Sequence, residues 1–133
     1  MTLVTGDQLA AALADRFQRI VPEGFQVRDD DGMLWYSVDP ALSFWGGGGS
    51  GSYVRLNFDS NDGPLNERVV AVSEQSLNEL QDFVDEESAL PWPGERTVPL
   101  AHARVVGRKL HLWFGDANAP VLECEPIDLA LLG

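Results

Sequence analysis

Residues 102–114 read His102-Ala-Arg-Val-Val-Gly-Arg-Lys-Leu-His-Leu-Trp-Phe114. Aliphatic residues alternate with polar or aromatic ones on both sides of Gly107-Arg108, and this period of two predicts two strands joined by a two-residue turn. In that register Arg104 pairs with His111. A three-residue turn would mix the aliphatic and polar sets, so the alternation selects the first register.

The predicted hairpin therefore has one core face and one outer face. The core face carries Ala103, Val105, Leu110, Leu112 and Phe114. The outer face carries His102, Arg104, His111 and Trp113.

The same period of two recurs elsewhere in the chain. Residues 25–27 and 33–38 predict a hairpin around Asp31-Gly32, in which Arg28 faces Trp35 as a possible cross-strand cation–π pair. Further strands are predicted at residues 53–58, 68–72 and 121–125. In the strand 53–58, Val54 should point inward and Tyr53 and Arg55 outward.

Two stretches have helical periodicity instead. Thr5-Gly-Asp-Gln8 is typical of a capping box, and Leu9, Leu13 and Phe17 then repeat on one helical face. A second helix is predicted after Ser73 or Ser76, ending at the acids of residues 85–87.

Hairpin connections between the strands predict an α+β fold. We expect a two-layer sandwich, in which an antiparallel sheet carries both helices on one face. Residues 46–52, Gly-Gly-Gly-Gly-Ser-Gly-Ser, are predicted to be a flexible loop between strands. A phosphate-binding loop would need Lys-Ser or Lys-Thr after the glycines, where Ser52-Tyr53 stands instead.

Composition excludes several classes of function. Nine Lys and Arg against twenty-one Asp and Glu give the 133-residue chain a net charge of −12. Phosphate backbones and anionic lipids repel such a chain, so we expect no nucleic-acid binding and no membrane binding. Hydrophobic residues make up 44% of the chain, which is enough for one domain over residues 1–133.

The same sequence features predict a cytoplasmic protein. Its single cysteine cannot form an internal disulfide, which is typical of a reducing compartment. The N-terminus has no signal-peptide pattern, and no apolar run reaches membrane-spanning length.

The outer side of the predicted sheet collects aromatic and basic residues without a carboxylate among them. They are Arg28, Trp35, Tyr53, Arg55, His102, Arg104, His111 and Trp113. Trp, Tyr and Arg are enriched at the energetic centres of protein interfaces. We therefore predict that this side binds a partner protein or a second copy of the chain, as a chaperone-like or adaptor-like module.

Two alternatives stay open for these residues. One is an ordinary solvent-facing sheet, with its amphipathic side chains lying flat. Otherwise an anionic small molecule, bound or chemically converted, would lie on Arg55, Arg104 and the two histidines under a loop at residues 46–49.

Metal and nucleophile chemistry have little support in the sequence. His102 and His111 could bind a metal across their hairpin, but two ligands without a third make a poor site. Glu123 would supply the third ligand only if its strand is adjacent. Cys124 has the strand parity of Leu122, which predicts a core residue rather than a nucleophile. We expect no metal, no cofactor and, in the leading interpretation, no catalytic residue.

Two resemblances support this interpretation. Gly51-Ser-Tyr-Val-Arg55 and Leu80-Gln-Asp-Phe-Val84, the latter followed by Pro91-Trp-Pro93, are similar to motifs of small acidic actinobacterial proteins without an assigned function. That resemblance implies no catalytic residue.

The order of helices and strands also resembles type III secretion chaperone-like proteins, which implies a dimer that binds other proteins. Those proteins usually end in a third helix, whereas residues 126–132 form too short a segment to predict such a helix.

Overall fold

A computed structural model describes residues 5–42, 48–54, 65–94 and 98–131. The helices are α1 (Gly6–Gln18) and α2 (Leu65–Ser88), and short 3₁₀ turns lie at Pro40–Leu42 and Leu129–Leu131. The strands are β1 (Phe25–Asp30), β2 (Met33–Val38), β3 (Gly48–Tyr53), β4 (Ala101–Val106), β5 (Lys109–Asp116), β6 (Ala119–Glu123) and β7 (Ile127–Asp128).

The chain has the predicted α+β architecture, and every strand pair in the described residues is antiparallel. The strands divide between two hydrogen-bonded sheets rather than forming the one sheet expected. One has the order β1-β2-β3 and the other the order β4-β5-β6, with β7 beside β6 on the same edge of β5. Helix α1 packs on β1 and β2, and α2 packs on strands of both sheets.

Helix α1 begins as predicted. The Gln8 backbone N–H donates to Thr5 Oγ1 at 3.1 Å, and the Thr5 backbone N–H donates to Gln8 Oε1 at 2.9 Å. These two bonds satisfy donors that a helix start leaves free. Leu9, Leu13 and Phe17 are fully buried against the first sheet.

Both predicted hairpin registers are confirmed. In the first hairpin Arg28 is the partner of Trp35, and the turn residues Asp31 and Gly32 both have positive φ, as a tight two-residue turn requires. In the second, Arg104 is the partner of His111 across the turn at Gly107.

The prediction for the glycine-rich segment is wrong, because Gly48–Tyr53 is strand β3, paired along its whole length with β2. Gly51 lies opposite Trp35, and a Cβ at residue 51 would come within 3.3 Å of that indole ring. Such a Cβ would also clash with Met33 Cε, so the absence of a side chain at residue 51 lets β3 lie close to the side chains of β2. Residues 46 and 47 lie outside the described part of the chain.

The strand predicted at residues 68–72 is wrong, because these residues form the first turns of α2. Valine runs favour strands, yet the buried positions Val69, Ser73 and Leu77 are four apart and follow a helical face. Ser73 and Ser76 therefore lie inside the helix at its contact with the sheets and do not cap its start. Small side chains there let the helix approach closely, and Tyr36 Oη donates to the Ser76 carbonyl at 3.1 Å.

One cluster of buried side chains joins both helices and both sheets. It includes the predicted inward residues Leu34, Leu110, Leu112 and Phe114, all of them at most 1% exposed. Val54 is also buried as predicted, whereas residues 55–58 lie outside the described part of the chain. Trp92 packs against this cluster, with its ring centroid 5.3 Å from that of Phe114.

Within the described residues, neither helix is both long enough and apolar enough to cross a membrane.

Candidate binding face

The second sheet has a side that faces away from α2, and we call it the outer face. It is set by the strand register, because Cα partners on neighbouring antiparallel strands point to the same side. Its residues form three rows across the strands: His102, Trp113 and Glu123; Arg104 and His111; and Val106, Lys109 and Asp128.

Trp113, at the centre of the first row, is held in one orientation. Its indole Nε1–H donates to the Gly115 carbonyl at 3.0 Å. On its other side the imidazole of His102 lies nearly parallel to the indole, with ring centroids 5.5 Å apart and an interplanar angle of 30°. Because the ring is already fixed, binding against it would cost little side-chain entropy.

Arg104 and His111 lie beside Trp113 and line a cavity of about 570 Å³ together with it. Neither Arg104 nor His111 makes an ion pair with any described residue. A guanidinium without a carboxylate partner remains available to a bound molecule.

The prediction of a face without carboxylates is wrong. Glu123 is the strand partner of Trp113, and Glu123 and Glu125 both line the cavity that contains Arg104. Asp128 is likewise the partner of Lys109. The position of these carboxylates could have been predicted from the sequence. In the predicted strand Glu123 and Glu125 alternate with Leu122 and Cys124, so they point to the outer side if Cys124 points to the core.

Glu125 is anchored to α1 rather than free on the face. Its carboxylate accepts from Arg19 Nη1 at 2.6 Å, and its backbone carbonyl accepts from Arg16 Nε at 3.1 Å. Arg16 Nη2 also donates to the carbonyl of Pro126 at 3.2 Å. These contacts hold the segment that joins β6 to β7 against the first helix.

The structure brings together four of the eight predicted residues, His102, Arg104, His111 and Trp113. Arg28 and Trp35 lie on the other sheet, where they line a separate cavity of about 400 Å³ with Asp29 and Asp30. Although Arg28 and Trp35 are strand partners, they form no cation–π contact in the described structure. The Tyr53 side chain and all of Arg55 lie outside what the structure describes.

A loop over a small anion was expected at residues 46–49, but Gly48 and Gly49 belong to β3, and residues 46 and 47 lie outside the described part of the chain. A shared metal between the histidines and Glu123 also lacks the right register, because Glu123 lies opposite Trp113 and not opposite His111. Among the described residues no three His, Cys, Asp or Glu side chains come together as a metal site.

Cys124 lies directly behind the cavity but is a core residue, as its strand parity predicted. Burial raises the pKa of its thiol to about 12, and the nearby Arg16 only partly offsets this effect. A thiol with this pKa is protonated at neutral pH and is a poor nucleophile.

Comparison with known proteins gave no match among protein-family models, curated proteins or solved structures. The two resemblances described above therefore stay predictions, and the outer face must be interpreted from its own geometry.

Proposed function

We propose that the outer face is a protein-binding surface, through which this chain binds a partner protein or a second copy of itself without catalysing a reaction. The observation that carries the proposal is the fixed indole of Trp113 beside a guanidinium, Arg104, that has no ion-pair partner among the described residues. Tryptophan and arginine are the side chains that most often dominate the binding energy of interfaces.

Exposed aliphatic surface extends this face beyond the indole. Val106, the strand partner of Lys109 in the third row, is 53% exposed. Apolar side chains mixed with aromatic and charged ones are typical of protein interfaces, in which a water-excluded centre lies within a polar rim.

We propose a cytoplasmic location, because the single cysteine cannot form an internal disulfide and is buried away from other thiols.

A small-molecule site is the second candidate, because a cavity of about 570 Å³ lies within the size range of ligand pockets. Its carboxylates argue against the anionic ligand expected from the sequence. Glu123, which has no ion-pair partner among the described residues, lines the same cavity as Arg104 and would repel an anion. A protein partner can present both positive and negative groups to this mixed surface, whereas an anionic ligand cannot. The geometry therefore favours protein binding over the small-anion site.

Substitution of Trp113 by alanine tests the proposal. Trp35 is the matched control, since it is an outward-facing tryptophan on the other sheet and is 40% exposed. Wild-type, Trp113→Ala and Trp35→Ala proteins would be immobilised and incubated with lysate of the source organism, and self-association of each would be measured by sedimentation.

We expect Trp113→Ala to lose bound protein or self-association, by about tenfold or more, because truncation of a central aromatic residue often costs 2 kcal/mol or more. Trp35→Ala should retain both activities. Equal retention by both variants, or equal loss, would contradict the proposal. A thermal midpoint that rises with small anionic metabolites and depends on Arg104 would favour the second candidate instead.

A further inference from the structure

We propose that the outer face binds a second copy of this chain, related to the first by a two-fold axis parallel to β5. This inference rests on the proposed function, because it names the occupant of the same face. It follows from the distribution of charge across the three rows.

Charge changes sign from one edge of the outer face to the other. The β4 edge carries Arg104, whereas Glu123 and Asp128 lie on the opposite edge, beyond β5. Strands lie about 4.8 Å apart, so Arg104 and Glu123 are separated by about 10 Å across the sheet. Accordingly, they form no ion pair within one chain. Neither Arg104 nor Glu123 has an ion-pair partner among the described residues, so each can pair with a charge on another chain.

A face with opposite charges on its two edges is complementary to its own copy in one orientation. When two such faces meet about a two-fold axis parallel to β5, the β4 edge of each copy lies over the β6–β7 edge of the other. Arg104 of one chain then lies opposite the edge that carries Glu123 of the other. An axis across the strands would instead place basic edge on basic edge, which charge repulsion disfavours.

The central strand also fits this arrangement. Residues of β5 lie on the axis, so the Trp113 rings of the two copies face each other, and His111 of one copy meets His111 of the other at the centre of the contact. Aromatic residues are among those that contribute most to interface binding. Lys109 would meet Lys109, but Asp128 is its strand partner in each chain and offsets that repulsion.

The size of the face limits the strength of the association. Three strands and three rows span about 15 Å by about 20 Å, a few hundred Å² per copy. Stable interfaces bury about 800 Å² per partner. We therefore expect a reversible dimer with a dissociation constant weaker than about 1 µM.

Reciprocal charge reversal tests the arrangement. Arg104→Glu and Glu123→Arg would each be measured alone and as an equimolar mixture by sedimentation velocity, up to about 1 mM protein at low ionic strength. In the proposed dimer the edge that carries residue 104 of each chain lies over the edge that carries residue 123 of the other. Each variant alone therefore places like charges opposite each other at both edges. In the mixture, every reversed residue lies opposite a charge of the other sign.

We expect each variant alone to dimerise at least about tenfold more weakly than wild type, and the mixture to recover to within about threefold. The matched controls are Arg28→Glu on the outer side of the first sheet and Glu23→Arg in the loop before β1. Both should dimerise like wild type, because they change charge by the same amount away from the outer face.

Three results would overturn this inference: a wild-type chain that stays monomeric over the whole concentration range, a mixture that associates no better than its components, or controls that weaken the dimer equally. The proposed function is tested separately by Trp113→Ala. It survives a monomeric wild type if Trp113→Ala loses a bound partner protein, and it fails if dimerisation or partner binding is insensitive to Trp113→Ala.

Discussion

Cys124 illustrates how one side chain can lie close to a candidate site without belonging to its chemistry. It is one of the residues that line the cavity beside Arg104, but it is only 5% exposed and belongs to the core cluster. Strand parity alone predicted this position, because period-two alternation assigns neighbouring residues to opposite sides of a strand.

The thiol should therefore resist alkylation in the folded protein. With a pKa near 12, only about one thiol in ten thousand is ionised at pH 8, and burial restricts access further. We expect iodoacetamide to label Cys124 only after unfolding, and labelling of folded protein to increase as the pH rises toward 12. Mass spectrometry of protein labelled with and without urea measures this. Rapid labelling of the folded chain at pH 7 would show that Cys124 is an accessible, activated thiol.

Gly51 shows what residue types alone do not reveal. Glycine has low strand propensity, so the sequence predicted a flexible loop. Its place in β3 follows from the pairing of residues 48–53 with β2, a long-range contact that no local pattern encodes.

At the scale of elements, the two hairpins could be predicted and the start of α2 could not. Each hairpin combines alternating residues with a glycine turn, and a register shift by one residue would move its whole aliphatic set to the solvent side. The valines of residues 69–72 carry no such constraint. A short apolar run suits a strand or a buried helix equally, and here packing against both sheets selects the helix.

The register of the second hairpin is open to a direct test by two neighbouring substitutions. Leu112 is 1% exposed, whereas Trp113 points to the outer face. We expect Leu112→Ala to lower the free energy of unfolding by about 2–5 kcal/mol, because it leaves a cavity in the core. Trp113→Ala should lower it by less, about 1–2 kcal/mol, since it removes a partly buried ring and one hydrogen bond.

Urea unfolding followed by far-ultraviolet circular dichroism measures both values. If Trp113→Ala unfolds the protein and Leu112→Ala does not, the two faces of the hairpin are exchanged, and the outer face described above does not exist.

At the scale of the whole molecule, negative charge is concentrated away from the β4–β5 hairpin. Residues 98–115 contain three basic side chains and no acid, although the chain has a net charge of −12. Helix α2, which packs behind this hairpin, carries seven acids against one arginine. The sequence predicted this segregation, but it placed β6 too vaguely to show that Glu123 and Asp128 complete the opposite edge of the same face.

The binding site is accordingly the part that sequence reasoning predicted least completely. It identified the four residues His102, Arg104, His111 and Trp113 because a local hairpin brings them together. The sequence prediction placed Arg28 and Trp35 on the same sheet as these four residues, because no local pattern indicates that the described strands form two sheets. Only long-range packing makes that division.

The most direct test of the central claim, that the outer face is the binding surface, is a concentration series of ¹H–¹⁵N correlation spectra. The four indole N–H groups report on separate places in the chain, and the amide signals cover the remainder. Between dilute and concentrated protein, or on addition of a captured partner, we predict shifts of the Trp113 indole and of the amides of β4, β5 and β6. The Trp92 indole and the amides of α1 should stay unchanged. Shifts confined to the helices, with the Trp113 indole unmoved, would contradict the claim.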